Sequence, residues 1–259
     1  MPIHPTAIIS PKAELAEDVC VEAYSIIGPG VVIGSGTVVG HHIVIEGNTT
    51  IGENNRIFPF VSLGLSPQDL TYAGEDTRVI IGNNNIIREY VTVHRGTARG
   101  AGITRIGDGV FLMAYSHVAH DCQVGNGVIL ANAATLGGHI DVGRFAVIGG
   151  LVAVHQFVRV GEYSCVGGFS GVGMDIPPYM LATGAPRIKL YGPNLIGLRR
   201  HGFSAKVIQE IKKFYKIFWR LGLGREEAVA KAREELEPLP ELEKLIEFVS
   251  FSSKRGLSR

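Results

Sequence analysis

Cysteine is scarce in this chain, three among 259 residues, and the three show no paired spacing. That excludes a disulfide framework and a zinc ribbon. Neither end reads as a signal peptide, so a reducing, cytoplasmic address is the expectation. Apolar runs are too short for a membrane-crossing helix, and the chain is not expected to span a bilayer. Aromatic residues make up 8% of the chain, with a single tryptophan, which suits a narrow interior better than a broad ring-filled core. Before about residue 186 there is no helical pattern of the kind that alternates with strands in an α/β domain.

What the chain has instead is a period of six. Aliphatic residues stand at Ile9, Leu15, Val21, Ile27, Ile33, Val39, Ile45, Ile51, Ile57 and Leu63 without a miss. The register resumes at Ile81, Ile87 and Val93, then runs from Ile106 through Leu112, Val118 and Val124 to Val172. Six is neither the helical period nor the plain alternation of a strand, and a repeat settles architecture before local propensity does. The residue after the aliphatic is often glycine, as at Gly28, Gly34 and Gly149; the residue two before it is small or β-branched, as at Ser25, Val31 and Thr37. Each hexad therefore supplies one short strand and one corner, with the aliphatic side chain inward and glycine easing the corner backbone. Three hexads close a triangular coil, and coils stack at about 4.8 Å. The expected fold is mainly β: a parallel β-helix of about 8–10 coils over residues 1–185.

Two segments break the register, 64–78 and 94–105, and read as loops thrown out of the prism, where binding residues often sit. From 186 to 259 the chain becomes helical. Ser204 is an N-cap for AKVIQEIKKFYKIFWRLG, Gly222 and Gly224 end that helix, and Pro240 opens another. This small C-terminal domain is expected to cap the last coil. It is also basic: residues 186–259 hold sixteen Lys or Arg against nine Glu, whereas residues 1–185 hold nine against fifteen acidic residues. A basic tail calls for an acidic partner; nucleic acid, a solvated helix face and an acidic protein all satisfy that charge.

The densest polar cluster lies at HVAHDC, followed by GGH and HQF. Eighteen residues return the chain to the same edge, so His120, Gly138 and Gln156 stack, as do Asp121 and His139, and Gly137 and His155. His117 precedes them on the coil of His120. Histidine is the side chain best placed to take a proton near neutral pH, Asp121 can favour its imidazolium, and Gly138 offers a backbone N–H to an oxyanion. Ser116 and Cys122 fall at inward positions, which favours direct attack by an acceptor over a covalent acyl-enzyme.

The segments HVAHDCQVGN, LGGHIDVG, AVHQFVRVG, REYVTVHRGT, MDIPPY and GLRRHGFS resemble those of the UDP-N-acetylglucosamine O-acyltransferase family, whose hexapeptide coils are left-handed. The resemblance implies transfer of a 3-hydroxyacyl chain from acyl carrier protein to the sugar 3-hydroxyl, at the start of lipid A synthesis. It implies no cofactor beyond the phosphopantetheine of the carrier protein, no metal and no nucleic acid. The family works as a homotrimer with sites between neighbouring prisms. His120 is implied as general base, Asp121 as its partner and the Gly138 N–H as oxyanion donor. His117, His139, His155 and Gln156 are implied to touch substrate near the reacting centre, Asp69 the uridine or sugar, Asn194 and Arg200 the nucleotide, and Gly168 the far end of the acyl chain. Thr71 stands where a lysine is usual, Ile196 where an acid is usual and His201 where a second arginine is usual. These departures bear on acceptor choice and keep N-acylation of a 3-amino sugar analogue open. A remoter alternative is a zinc site of the carbonic-anhydrase-like relatives, built from His117, His120 and His139.

Overall fold

The hexads form strands two residues long, such as Ile26–Ile27, Val32–Ile33 and Val38–Val39. Each pairs in parallel with the strand one coil later: Ile26 beside Val44, Val32 beside Thr50, Val38 beside Arg56. The computed structural model describes residues 3–258. Its strands make three faces of nine, eight and ten strands, in which every third strand of the chain is a neighbour until Met180–Thr183 and Lys189–Pro193 close the third. The first face begins at Ile8–Ile9, the second at Glu14–Leu15 and the third at Cys20–Val21. Together they wind as a left-handed parallel β-helix.

The second residue of each strand points inward. Ile27, Ile33, Val39 and Ile45 are at most 2% exposed, and each such side chain contributes about 1.5–3 kcal/mol on burial. Inward polar residues are bonded to backbone, as where the Ser25 hydroxyl donates to Gly40 O at 2.6 Å.

The repeating glycine does a different job from the one expected. Gly28, Gly34, Gly40 and Gly149 do not adopt positive φ. A Cβ on Gly34 would lie 2.8 Å from the carbonyl of Gly52, and one on Gly40 2.8 Å from Ile57 O. Glycine is there because successive coils approach too closely for a side chain. The left-handed corner is taken instead by Tyr24, His42, Phe60, Tyr90 and Tyr115, with φ between 55° and 64°. Their rings stack outside the prism, which is how a narrow interior coexists with aromatics at all.

The first excursion leaves strand Ser62–Leu65 and returns at Arg78–Ile81; the second leaves Thr92–His94 and returns at Ile103–Ile106. The span after 185 opens with a strand, Lys189–Pro193, antiparallel to Met180–Thr183. Helices follow: α1 (Leu195–Arg200), α2 (Ala205–Arg220), α3 (Arg225–Glu235) and α4 (Pro240–Ser250). Ser204 caps α2, its side chain accepting from Val207 N–H. Ile208, Ile211 and Phe214 of α2 and Leu242, Leu245 and Val249 of α4 are buried. Lys244 pairs with Glu162 at 2.9 Å, and Arg159 bonds Phe248 O at 3.3 Å, tying α4 to the last coils.

Candidate active site

Both excursions leave the first face and return on the second, so they arise on one edge of the prism in successive coils. The next coil carries His120 and Asp121 at that same edge, between His117–Val118 and Gln123–Val124. Asp121 occupies the left-handed corner at φ 60°, which aspartate tolerates better than most residues. Its Oδ2 lies 3.0 Å from His120 Nδ1. The same oxygen accepts from Thr97 N–H at 3.0 Å and the Thr97 hydroxyl at 2.7 Å, and Oδ1 accepts from Gly102 N–H at 3.0 Å. A carboxylate held this way is an acceptor for the imidazole, so His120 donates from Nδ1 and leaves Nε2 as its acceptor nitrogen.

The hexad register puts His120 in the open at a corner. In the structure it is 6% exposed and Asp121 5% exposed, because the second excursion folds over the edge. Gly138 lies against the ring: a Cβ there would sit 2.6 Å from His120 Nε2. Among the described residues its N–H donates to no protein group.

His139 stacks as the register requires, one coil above Asp121. Its Nδ1 is 3.8 Å from Asp121 Oδ2, its ring is edge-on to His120 at 5.0 Å, and Phe157 lies flat on it at 4.6 Å. Burial lowers its pKa and the Asp121 charge opposes that shift. His117 turns elsewhere. Its Nδ1 is 2.7 Å from the Thr92 hydroxyl and its ring is edge-on to His94. Burial first, then the neighbouring His94 and His120, push its pKa down to about 4, so it is neutral at pH 7. The His117, His120, His139 zinc set is therefore not what the structure assembles: the group whose ligand atoms lie within 4.8 Å of one another is His120, Asp121 and His139.

Ser116 and Cys122 are buried inward. The Cys122 thiol donates to Gly137 O at 2.9 Å, and burial pushes its pKa up to about 12, so it offers no thiolate. Asp69 in the first excursion accepts from both the N–H and the hydroxyl of Thr71 at 2.8 Å. Those bonds lower its pKa, with smaller contributions from His120 and Arg99, and the excursion that carries it leaves from the same edge. His155 and Gln156 are exposed on the coils above.

Three expected site residues lie away from this edge. Gly168 falls between Cys165–Val166 of the third face and Gly171–Val172 of the first. The Asn194 side chain donates to Tyr163 O at 3.0 Å and caps α1 by accepting from Gly197 N–H at 3.1 Å. Both ends of its amide are thus used within the chain. Arg200 ends α1, is exposed, and pairs with no carboxylate among the described residues. Next to it His201 packs against Phe145 and Tyr163, on the edge between the second and third faces.

Sequence reasoning missed His94, Thr97 and Gly102. His94 is 5% exposed and packs on His117; it pairs with Leu65 across an irregular register that the repeat does not show. Nothing in the repeat signals Thr97 and Gly102, which reach Asp121 through a loop outside the register.

Comparison with known proteins is consistent along the chain. A family profile described as UDP N-acetylglucosamine O-acyltransferase, domain 2, matches residues 175–258, and one for bacterial transferase hexapeptide repeats matches 103–138. An acyl-(acyl-carrier-protein)-UDP-N-acetylglucosamine O-acyltransferase of Syntrophobacter fumaroxidans is 56% identical over the whole of both chains. One of the same name from Thermodesulfovibrio yellowstonii is 56% identical over 99% of each. The crystal structure of UDP-N-acetylglucosamine O-acyltransferase from Moraxella catarrhalis superposes with a TM-score of 0.96 at 44% identity, covering all of both chains.

Proposed function

The chain belongs to the UDP-N-acetylglucosamine O-acyltransferase family, and from that premise we propose how its own residues carry out the reaction. The enzyme transfers a 3-hydroxyacyl chain from acyl carrier protein to the 3-hydroxyl of UDP-N-acetylglucosamine, in lipid A biosynthesis. The observation that supports the mechanism best is the buried His120–Asp121 pair at 3.0 Å, with Nε2 turned toward Gly138.

His120 Nε2 takes the proton of the sugar hydroxyl as its oxygen attacks the thioester carbonyl. The carbonyl electrons move onto oxygen, where the Gly138 N–H donates to the oxyanion. Collapse breaks the C–S bond, and the leaving thiolate recovers the proton from the His120 imidazolium, which Asp121 has stabilised meanwhile. His139, His155 and Gln156 line the approach above the base, and His117 serves as a neutral hydrogen-bonding group below it. Asp69 meets the sugar or uridine. Asn194 sets α1, so that Arg200 can hold the diphosphate.

Within one prism these groups occupy three edges: the base on the first–second edge, Gly168 on the third–first edge, Arg200 near the second–third edge. A homotrimer brings different edges of neighbouring copies together, and that assembly fits the reading. The basic tail suits the acidic carrier protein. The proposed address is the cytoplasm. Among the described residues no helix is long and apolar enough to cross a membrane.

An acceptor competition tests this reading. Purified protein is given 3-hydroxyacyl carrier protein with UDP-N-acetylglucosamine and its 3-amino analogue together, and products are read by mass. An ester on the hydroxyl sugar is expected; an amide as the sole product would transfer the assignment to N-acylation.

A further inference from the structure

We infer that Arg95 is a positioning residue for the acceptor, acting by clamping the first excursion to the coil beneath the base. This rests on the reading of Asp69 as a sugar or uridine contact. Arg95 begins the second excursion, yet its side chain belongs to the first. Its Nη1 donates to Gly64 O at 2.7 Å. Its Nη2 donates to the Tyr72 hydroxyl at 3.0 Å and to Ser66 Oγ at 3.3 Å. Its guanidinium also lies over the Tyr72 ring at 5.8 Å. The backbone adds a further tie, Arg95 N–H to Leu65 O at 3.1 Å.

These acceptors bracket Asp69. Gly64 and Ser66 lie on the outgoing limb of the loop. Tyr72 lies on the return limb, where its own hydroxyl donates to Glu75 O at 2.9 Å and its N–H to Asp69 O at 3.1 Å. One planar cation therefore joins both limbs, and a fork of fixed geometry does this better than a point charge. The scaffold makes room for it: Gly47, at φ 63°, is where a Cβ would overlap Arg95 Nη1. Among the described residues no carboxylate pairs with Arg95, so its charge strengthens bonds to neutral loop acceptors.

The test compares Arg95→Gln, Arg95→Lys and Tyr72→Phe with the wild type. Arg95→Gln is expected to raise the KM for UDP-N-acetylglucosamine about tenfold or more, the order set by losing a charged hydrogen-bond fork. The KM for acyl carrier protein should stay within about twofold, since the clamp touches only the acceptor loop. Amide exchange should accelerate in 66–76 and not in 117–124. Arg95→Lys should recover part of the acceptor KM. An unchanged acceptor KM with unchanged exchange overturns the inference, as does an equal rise in both KM values with a lowered Tm, which marks a general structural role. If Arg95→Gln does not fold, Tyr72→Phe decides: it removes one hydroxyl and should raise the acceptor KM about two- to fivefold, and no change in KM or exchange overturns the clamp. Should the wild type fail to acylate the sugar, the functional reading falls, while the exchange comparison still judges the clamp.

Discussion

Along the third–first edge Tyr24, His42, Phe60, Tyr90 and Tyr115 stack ring on ring, with centroids 4.8–5.2 Å apart. Along the first–second edge Asp121, His139 and Phe157 occupy the same corner position on successive coils, with φ of 60°, 59° and 65°. The backbone is the same in both places. At the aromatic edge Tyr24 and Tyr115 remain about 60% exposed (60% and 62%), whereas Asp121 is 5% exposed. The difference comes from the excursions, which leave only from the first–second edge. The hexad fixes where a corner side chain stands; an inserted loop decides whether it stands in water. Under the loop, a histidine gains an aspartate partner that fixes its tautomer, as the proposed base requires.

Removing the base breaks this comparison most severely. His120→Ala should lower kcat by about 10²–10⁴ while circular dichroism and oligomeric state match wild type, because little core is lost. Retention of more than a tenth of the wild-type kcat contradicts the role. Gly138→Ala comes next. A methyl at that position overlaps the imidazole, and a displacement of the base by about 1 Å costs on the order of a hundredfold; unaltered turnover would show that the ring has room to retreat.

Thr97→Val tests the loop itself. It removes one of the donors to Asp121 and keeps the side-chain volume. A fall in kcat of about tenfold is expected, with the KM values little moved, whereas an exposed corner would feel nothing. Gly168→Met leaves the base alone and acts on the aromatic edge. It should shift the preference toward shorter acyl chains with kcat on the short donors preserved, and an unchanged chain-length profile would release Gly168 from that part. The smallest effect is electrostatic. In α2, Lys206 is paired with Glu237 and Lys213 with Glu210, which leaves Lys212 and Lys216 as its exposed lysines with no carboxylate partner among the described residues. Charge reversal at either should raise the KM for acyl carrier protein by roughly two- to fivefold at low salt, and the effect should fade as salt is added.

Sequence alone carries the fold far in this protein, because each hexad repeats the same decision and a single error cannot shift the rest. It also carries the stacking of His120 with Gly138 and of Asp121 with His139, which needs only the eighteen-residue return. The purpose of the repeated glycine was misread, since φ and coil-to-coil distance leave the same mark on a sequence. The burial of His120 was not legible either: it depends on Thr97 and Gly102, whose loop obeys no period. Nor did the tail's helical pattern reveal that Asn194 uses its amide to cap α1, a bond set by where the helix meets Tyr163.

On the proposed reading, His120, Gly168 and Arg200 of one prism lie on three separate edges, so that a working site needs more than one copy. Mixed-subunit complementation tests it most directly. His120→Ala and Arg200→Ala, each expected to be severely impaired alone, are dissociated together in equal amounts and reassembled. If neighbouring copies supply the two residues, about a quarter of the interfaces in a random mixture regain both, and activity should return toward that fraction of wild type. A mixture as inactive as its components, with mixed assembly verified by mass, would mean that a single chain supplies both residues and would contradict the account.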